Sequence, residues 1–123
     1  MAATLLKVLN NRDQSVVGAR VRQADSFWAR FRGLMLVPEL AEGEGLLISP
    51  CNSIHMMFMR FPIDAIFLDS GNCIRALYEK LRPWTGLSGW HRDVSSVLEL
   101  KSGTIQKSGV RVNDTLRMEP IEC

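Results

Sequence analysis

No hydrophobic run in the sequence approaches the roughly 18 residues that a membrane-spanning helix needs. The first residues, MAATLLKVLNNRDQ, hold no apolar stretch behind a basic start, so no secretory leader is expected. Neither sign of charge dominates: 15 Lys and Arg stand against 13 Asp and Glu, a net charge of +2. So small an excess predicts neither a nucleic-acid nor a membrane partner, and no stripe of basic residues interleaved with aromatics changes that. Cysteine is scarce and odd in number. Cys51, Cys73 and Cys123 form neither a disulfide framework nor a zinc-knuckle spacing. A reducing, cytoplasmic setting is the simpler expectation. A Gly-x-Ser-x-Gly elbow, a phosphate-cradling glycine loop, an internal repeat and a linker are also missing.

What is present is 123 residues, 46% hydrophobic and 23% charged. That length makes one domain, and that composition excludes disorder as the main state. Area scaling lets such a chain bury about two thirds of its unfolded surface, enough for a core without metal or disulfides. A monomer with no cofactor and no metal is expected.

Residues 4–9 and 15–22 are rich in Val and Leu and flank the turn formers Asn10 to Asp13, which predicts a β-hairpin. Strand alternation places Val17, Ala19 and Val21 toward the core. Residues 25–35 change period: Phe27, Phe31, Leu34 and Met35 recur at helical spacing behind Asp25 or Ser26, and Gly33 can end the run. A loop follows over 36–45 and a short strand over 46–49. Residues 54–60 and 63–69 are the most apolar part of the chain and read as two strands joined by a bend at Phe61-Pro62. Ser70-Gly71-Asn72 turns 63–69 into a hairpin with 73–81. Residues 83–93 are irregular, 94–100 form a strand, 104–108 one helical turn, and 110–113 and 114–118 the last strands. About eight short strands with regular turn signals predict an all-β fold, a compact β-sandwich or barrel with one or two short helices.

The densest candidate chemistry lies between Cys51 and Asp64. On a strand, His55, Met57 and Met59 share one face and Met56, Phe58 and Arg60 the other. A carboxylate from Asp64 within reach of His55 would fix the imidazole tautomer, for a polar ligand or for general-base work. Cys51, His55, Met57 and Met59 are soft donors of the kind that suit copper, but methionine more often fills gaps in a core, and no metal is expected. A Cys51–His55 nucleophile finds little support, because four residues on a strand or loop do not guarantee contact. Trp84 and Trp90 offer aromatic faces beside His91 and Arg92, as a lid or as a cap on the core.

Several stretches resemble one family. They are Arg32-Gly33-Leu34-Met35, then Gly43, Gly45, Leu46 and Leu47, then the run from Ser53 through Asp69, then Val97-Leu98-Glu99-Leu100 with Gly103, Gly109 and Asp114. In that order and spacing they are similar to the domain of unknown function 192 family, DUF192, also called UPF0127. The resemblance implies a compact β fold of jelly-roll type and no established activity. It implies site positions at Arg32, Met35, Ser53, His55, Met59, Asp64 and Glu99. Three readings follow. The first is a module that binds a small ligand or peptide at a polar patch around His55 and Asp64, with Trp84 and Trp90 as cover. The second is a hydrolase using His55 as base. The third is an accessory protein in which Arg32 and Asp64 form a buried ion pair.

Overall fold

A computed structural model describes residues 5–24 and 39–121 of the chain. The expected helix over 25–35 lies outside the described residues, as do Arg32, Met35 and Cys123. The strands are β1 (Leu5–Asn10), β2 (Val16–Ala24), β3 (Glu44–Ile48), β4 (Ile63–Leu68), β5 (Ile74–Leu81), β6 (Ser96–Lys101) and β7 (Leu116–Ile121), with one short helix, α1 (Thr104–Ser108), before the last. The fold is all-β. The seven strands form one sheet in the order β5-β4-β6-β3-β2-β1-β7, with β2 and β3 parallel and the other pairs antiparallel. The sheet curls but does not close into a barrel. Its edge strands meet at one corner, where Cys73 bridges Thr115 and Leu116 N–H donates to Asn72 O at 2.9 Å.

Hydrophobic residues cover both faces of the middle of this sheet. All six residues of β4 are buried, and so are the first five of β6. Alternation divides them between two layers. Ile66, Leu68, Leu98 and Leu100 point into an inner core with Val8, Val21 and Leu116. Ile63, Ala65, Phe67 and Val97 point to an outer core with Leu46, Ile48, Ile54, Met56 and Met59. A strand buried on both sides reads as a continuous apolar run, which is why β4 shows little period in the sequence.

Asp64 interrupts that run and is fully buried on the inner side. Its Oδ2 accepts the backbone N–H of Gly103 at 3.1 Å and of Ile105 at 2.8 Å, and its Oδ1 accepts that of Lys80 at 2.9 Å. The first two bonds satisfy donors at the start of α1, whose N-cap residue, Gly103, supplies no side-chain cap. The third answers a bulge: β5 slips register between Ile63 and Ala65, Lys80 takes a left-handed φ of 54°, and its N–H turns to the carboxylate. Helix α1 then drops Ile105 into the inner core.

A second carboxylate works at the corner of the sheet. Asp114 accepts from Arg12 Nε at 2.9 Å, Asn10 Nδ2 at 2.8 Å and Arg111 N–H at 2.9 Å. Burial alone would raise its pKa, but the hydrogen bonds from Arg12, Asn10 and Arg111 outweigh burial and hold the carboxyl below its ordinary value.

Three local expectations are corrected. Residues 54–60 are not a strand: Met59 N–H closes a turn onto Met56 O at 3.1 Å, and Phe58 has a φ of 64°. Met56 and Met59 therefore go inward together while Met57 and Phe58 go outward. Ala19 faces solvent because β2 bulges against β1 between the Leu6–Val21 and Val8–Gly18 pairs. Residues 110–113 form a turn, with Asn113 at a φ of 80°, so the described strands number seven.

Asp64→Ala leaves three buried or half-buried N–H groups without a partner. It should lower the unfolding free energy by about 3 kcal/mol or more, read as a lower urea midpoint at unchanged slope. A carboxyl with a lowered folded pKa contributes stability above its unfolded pKa and loses it as pH falls through the folded value. Arg12→Ala should therefore lower the melting temperature at neutral and alkaline pH and flatten the acid limb of the profile, so that the variant approaches wild type as pH falls.

Candidate functional site

The structure does not bring His55 and Asp64 together. Asp64 is committed to backbone donors in the inner layer. His55 lies exposed on a loop over the outer layer, where its Nδ1 accepts Met57 N–H at 3.2 Å. A base at His55 oriented by Asp64 is thus not assembled, and Asp64 has helix and bulge donors as partners. Ser53 is exposed, and its carbonyl accepts from Cys51 Sγ at 3.1 Å. The soft donors are also dispersed: Met59 is 3% exposed within the outer core, whereas Met57 is 50% exposed. Among the described residues, no group of three His, Cys, Asp or Glu side chains gathers as a metal site.

The irregular segment after β5 runs beside residues 52–56 as a short ladder. Trp84 N–H donates to Met56 O, Met56 N–H to Gly86 O, Ser88 N–H to Ile54 O and His91 N–H to Asn52 O. Gly86 permits this approach, since a Cβ there would lie 2.7 Å from Met56 Cγ and from Arg82 O. Tyr78 on β5 anchors the far end. Its hydroxyl accepts Gly89 N–H at 3.0 Å and sits 2.7 Å from His91 Nε2, with Phe67 edge-on to the imidazole. Sequence reasoning placed His91 in the loop but did not pair it with Tyr78, because contacts 13 residues apart across a loop leave no spacing signal. The two indoles expected as a lid project into solvent, Trp84 at 55% and Trp90 at 66% exposure.

Glu99 is the outlier. It stands in the middle of β6, between Leu46 of β3 and Ala65 of β4, with its side chain on the outer face. It is 5% exposed, and its Oε1 has no hydrogen-bond partner among the described residues. Burial raises its pKa from 4.5 to about 7. Two clefts are lined by residues on the sheet face that carries Glu99, and Glu99 itself lines neither. One, of about 240 Å³, is lined by Glu39, Leu40, Phe61, Pro62, Lys101 and Ser102. The other, of about 160 Å³, lies on the far side of Leu46 and is lined by Arg20, Arg22 and Glu44, and again by Glu39 and Leu40. Lys101 follows Glu99 by two residues on the same face of β6. Pairing register also places Arg22, Leu46, Glu99, Ala65 and Tyr78 in one row across the sheet.

The chain matches the family DUF192 (Uncharacterized ACR, COG1430) over residues 8–118. The chain belongs to this family. It is 42% identical over 82 residues to a UPF0127 protein of Thermococcus sibiricus, a match covering 63% of this chain and 52% of that protein. It is 29% identical over 120 residues to one of Thermococcus kodakarensis, covering 94% of this chain and 74% of that protein. The chain thus spans about half the length of the first relative. A Sinorhizobium meliloti protein, solved as a candidate transcription regulator, superposes with a TM-score of 0.82 at 25% identity, covering 95% of this chain and 94% of that one. A protein of unknown function from Novosphingobium aromaticivorans gives 0.79 at 20% identity, covering 92% and 83%. The DUF192 fold therefore extends over nearly the whole chain, and neither relative's name assigns it a reaction.

Glu99 gives this DUF192 chain a pH signature. With a folded pKa above the unfolded one, the native state holds an extra proton between about 4.5 and about 7. Stability should fall as pH rises through that window, by an amount on the order of a few kcal/mol. Glu99→Gln keeps the shape and removes the ionisation. Thermal melts should show it near wild type at pH 5 and more stable than wild type at pH 8.

Proposed function

We propose that this DUF192 domain is a binding module for a small ligand or peptide bearing a cationic group, with Glu99 as its buried anchor. The observation that carries the reading is the Glu99 side chain, held in an apolar layer with one oxygen unpartnered among the described residues, on the sheet face where Lys101 and Arg22 line clefts. An ionised carboxylate in such a place is costly until a counter-charge arrives. An ammonium or guanidinium group supplies both charge and hydrogen-bond donors, and charge-assisted bonds are about twice as strong as neutral ones. Leu40, Phe61 and Pro62 offer an apolar wall for an alkyl chain, while Lys101 and Ser102 at the rim suit a polar or anionic remainder. His55, Ser53 and Asp64 have no direct part in this site.

Binding through an ionised Glu99 releases the proton that the unliganded carboxyl holds below about pH 7. Affinity should then rise about tenfold per pH unit between 5 and 7 and level off above. The check is calorimetric titration with n-butylamine, agmatine and lysine methyl ester at several pH values. Glu99→Gln should abolish the heat. The reading fails if none of the three binds at pH 8, or if Glu99→Gln binds them as wild type does.

A further inference from the structure

A second surface, independent of Glu99, is defined by residues 54–60 and 82–92. Among the described residues, large apolar side chains are exposed at Val16, Met57, Phe58, Trp84, Leu87, Trp90 and Val112, and five of these seven lie in the two segments. The backbone ladder between Ile54–Met56 and Trp84–Ser88 holds the segments side by side. Phe58 and Trp84 both adopt left-handed backbone, with φ of 64° and 68°, and their rings meet at 5.1 Å. Bulky side chains rarely tolerate that region, and here it turns two aromatic rings outward, where no core packing rewards them.

The charged side chains within the two segments, 54–60 and 82–92, are all basic. Arg60, Arg82 and Arg92 are exposed. Between Cys51 and Pro62 there is no acidic residue, and between Arg82 and Asp93 there is only Asp93, which lies 3.9 Å from Arg75. Arg92 sits 5.8 Å above the Trp90 ring. The net charge of +2 for the whole chain conceals this local excess.

We propose that this loop face docks the domain on an anionic lipid surface. Its apolar groups protrude, and none of them lines the clefts described above. Protruding Trp, Phe, Leu and Met side chains enter a soft interfacial layer without needing a complementary cavity, whereas a folded partner would have to supply a pocket for each. Indole rings favour the headgroup level, and arginine forks match lipid phosphates. Since no helix among the described residues is long and apolar enough to cross a bilayer, attachment through this face is peripheral.

The test is co-sedimentation of the full chain with vesicles of phosphatidylcholine alone and of phosphatidylcholine mixed with phosphatidylserine. Binding is expected only with phosphatidylserine, weakening as salt rises, and brominated lipid should quench the indole emission. Leu87→Ser combined with Trp90→Ser removes two exposed side chains outside the cores, so the thermal melt should not change. The bound fraction should fall by at least about tenfold. Arg60→Glu with Arg92→Glu should abolish the preference for anionic vesicles. The proposal is overturned if the chain ignores phosphatidylserine vesicles or if the serine variant sediments as wild type does. It is likewise overturned if the face retains polyglutamate or single-stranded DNA but not vesicles, which would assign it to an acidic protein or a nucleic acid.

Discussion

Three backbone N–H groups from two distant parts of the chain converge on the Asp64 carboxylate, and much of the architecture follows from that convergence. It fixes which way β4 faces. With Asp64 turned inward, Ile63, Ala65 and Phe67 must turn outward, and the outer layer acquires its floor. It starts α1 where no local cap is available, and α1 delivers Ile105 to the inner core. It also absorbs the irregularity of β5 at Lys80. A carboxylate so engaged is structural, which is why chemistry has to be sought in the other layer.

That other layer holds two surfaces of opposite character. One is concave and partly polar: Leu40 and Phe61 pack against the outer core on the sheet face that carries Glu99, and charged residues line both clefts there. The other is convex and aromatic, built on backbone that the loops hold in a costly conformation. Both depend on the same packing. Met56 and Met59 fill the space between sheet and loops, and the Tyr78–His91 contact fastens the second loop to β5. A change in those anchoring residues would disturb both surfaces, whereas changes at Leu87 or Trp90 touch only the convex one.

Much of the fold was legible in the sequence because turn chemistry is local. Asn10 to Asp13 and Ser70-Gly71-Asn72 marked the β1–β2 and β4–β5 hairpins, and residues 104–108 do form a helix. The stretch from Ile54 to Arg60 was misread for a physical reason. A run of apolar residues carries no polar marker of phase, so a turn that buries Met56 and Met59 three residues apart looks like a strand that alternates. The parallel pairing of β2 with β3 was equally silent, since register between distant segments leaves no short-range trace. For the site, Glu99 stood in a stretch resembling DUF192, but its burial beside Leu46 and Ala65 is a property of three strands at once. The proximity of His55 and Asp64 in sequence pointed the wrong way, because the turn at Met56 and the bend at Pro62 send their side chains to different layers.

The seam where β5 and β7 meet at a single corner leaves most of each strand as an outer edge of the sheet. Such an edge invites pairing with another extended chain. Both edges carry features that discourage it. Strand β7 has Pro120, which offers no N–H, between Glu119 and Ile121, and the charged pair Arg117–Glu119 at 2.8 Å. Strand β5 displays Arg75, Glu79 and Lys80, and its bulge at Lys80 breaks the regular spacing of backbone groups. The slip in β5 that Asp64 accommodates thus has a second effect: it spoils one edge as a template for continued strand addition.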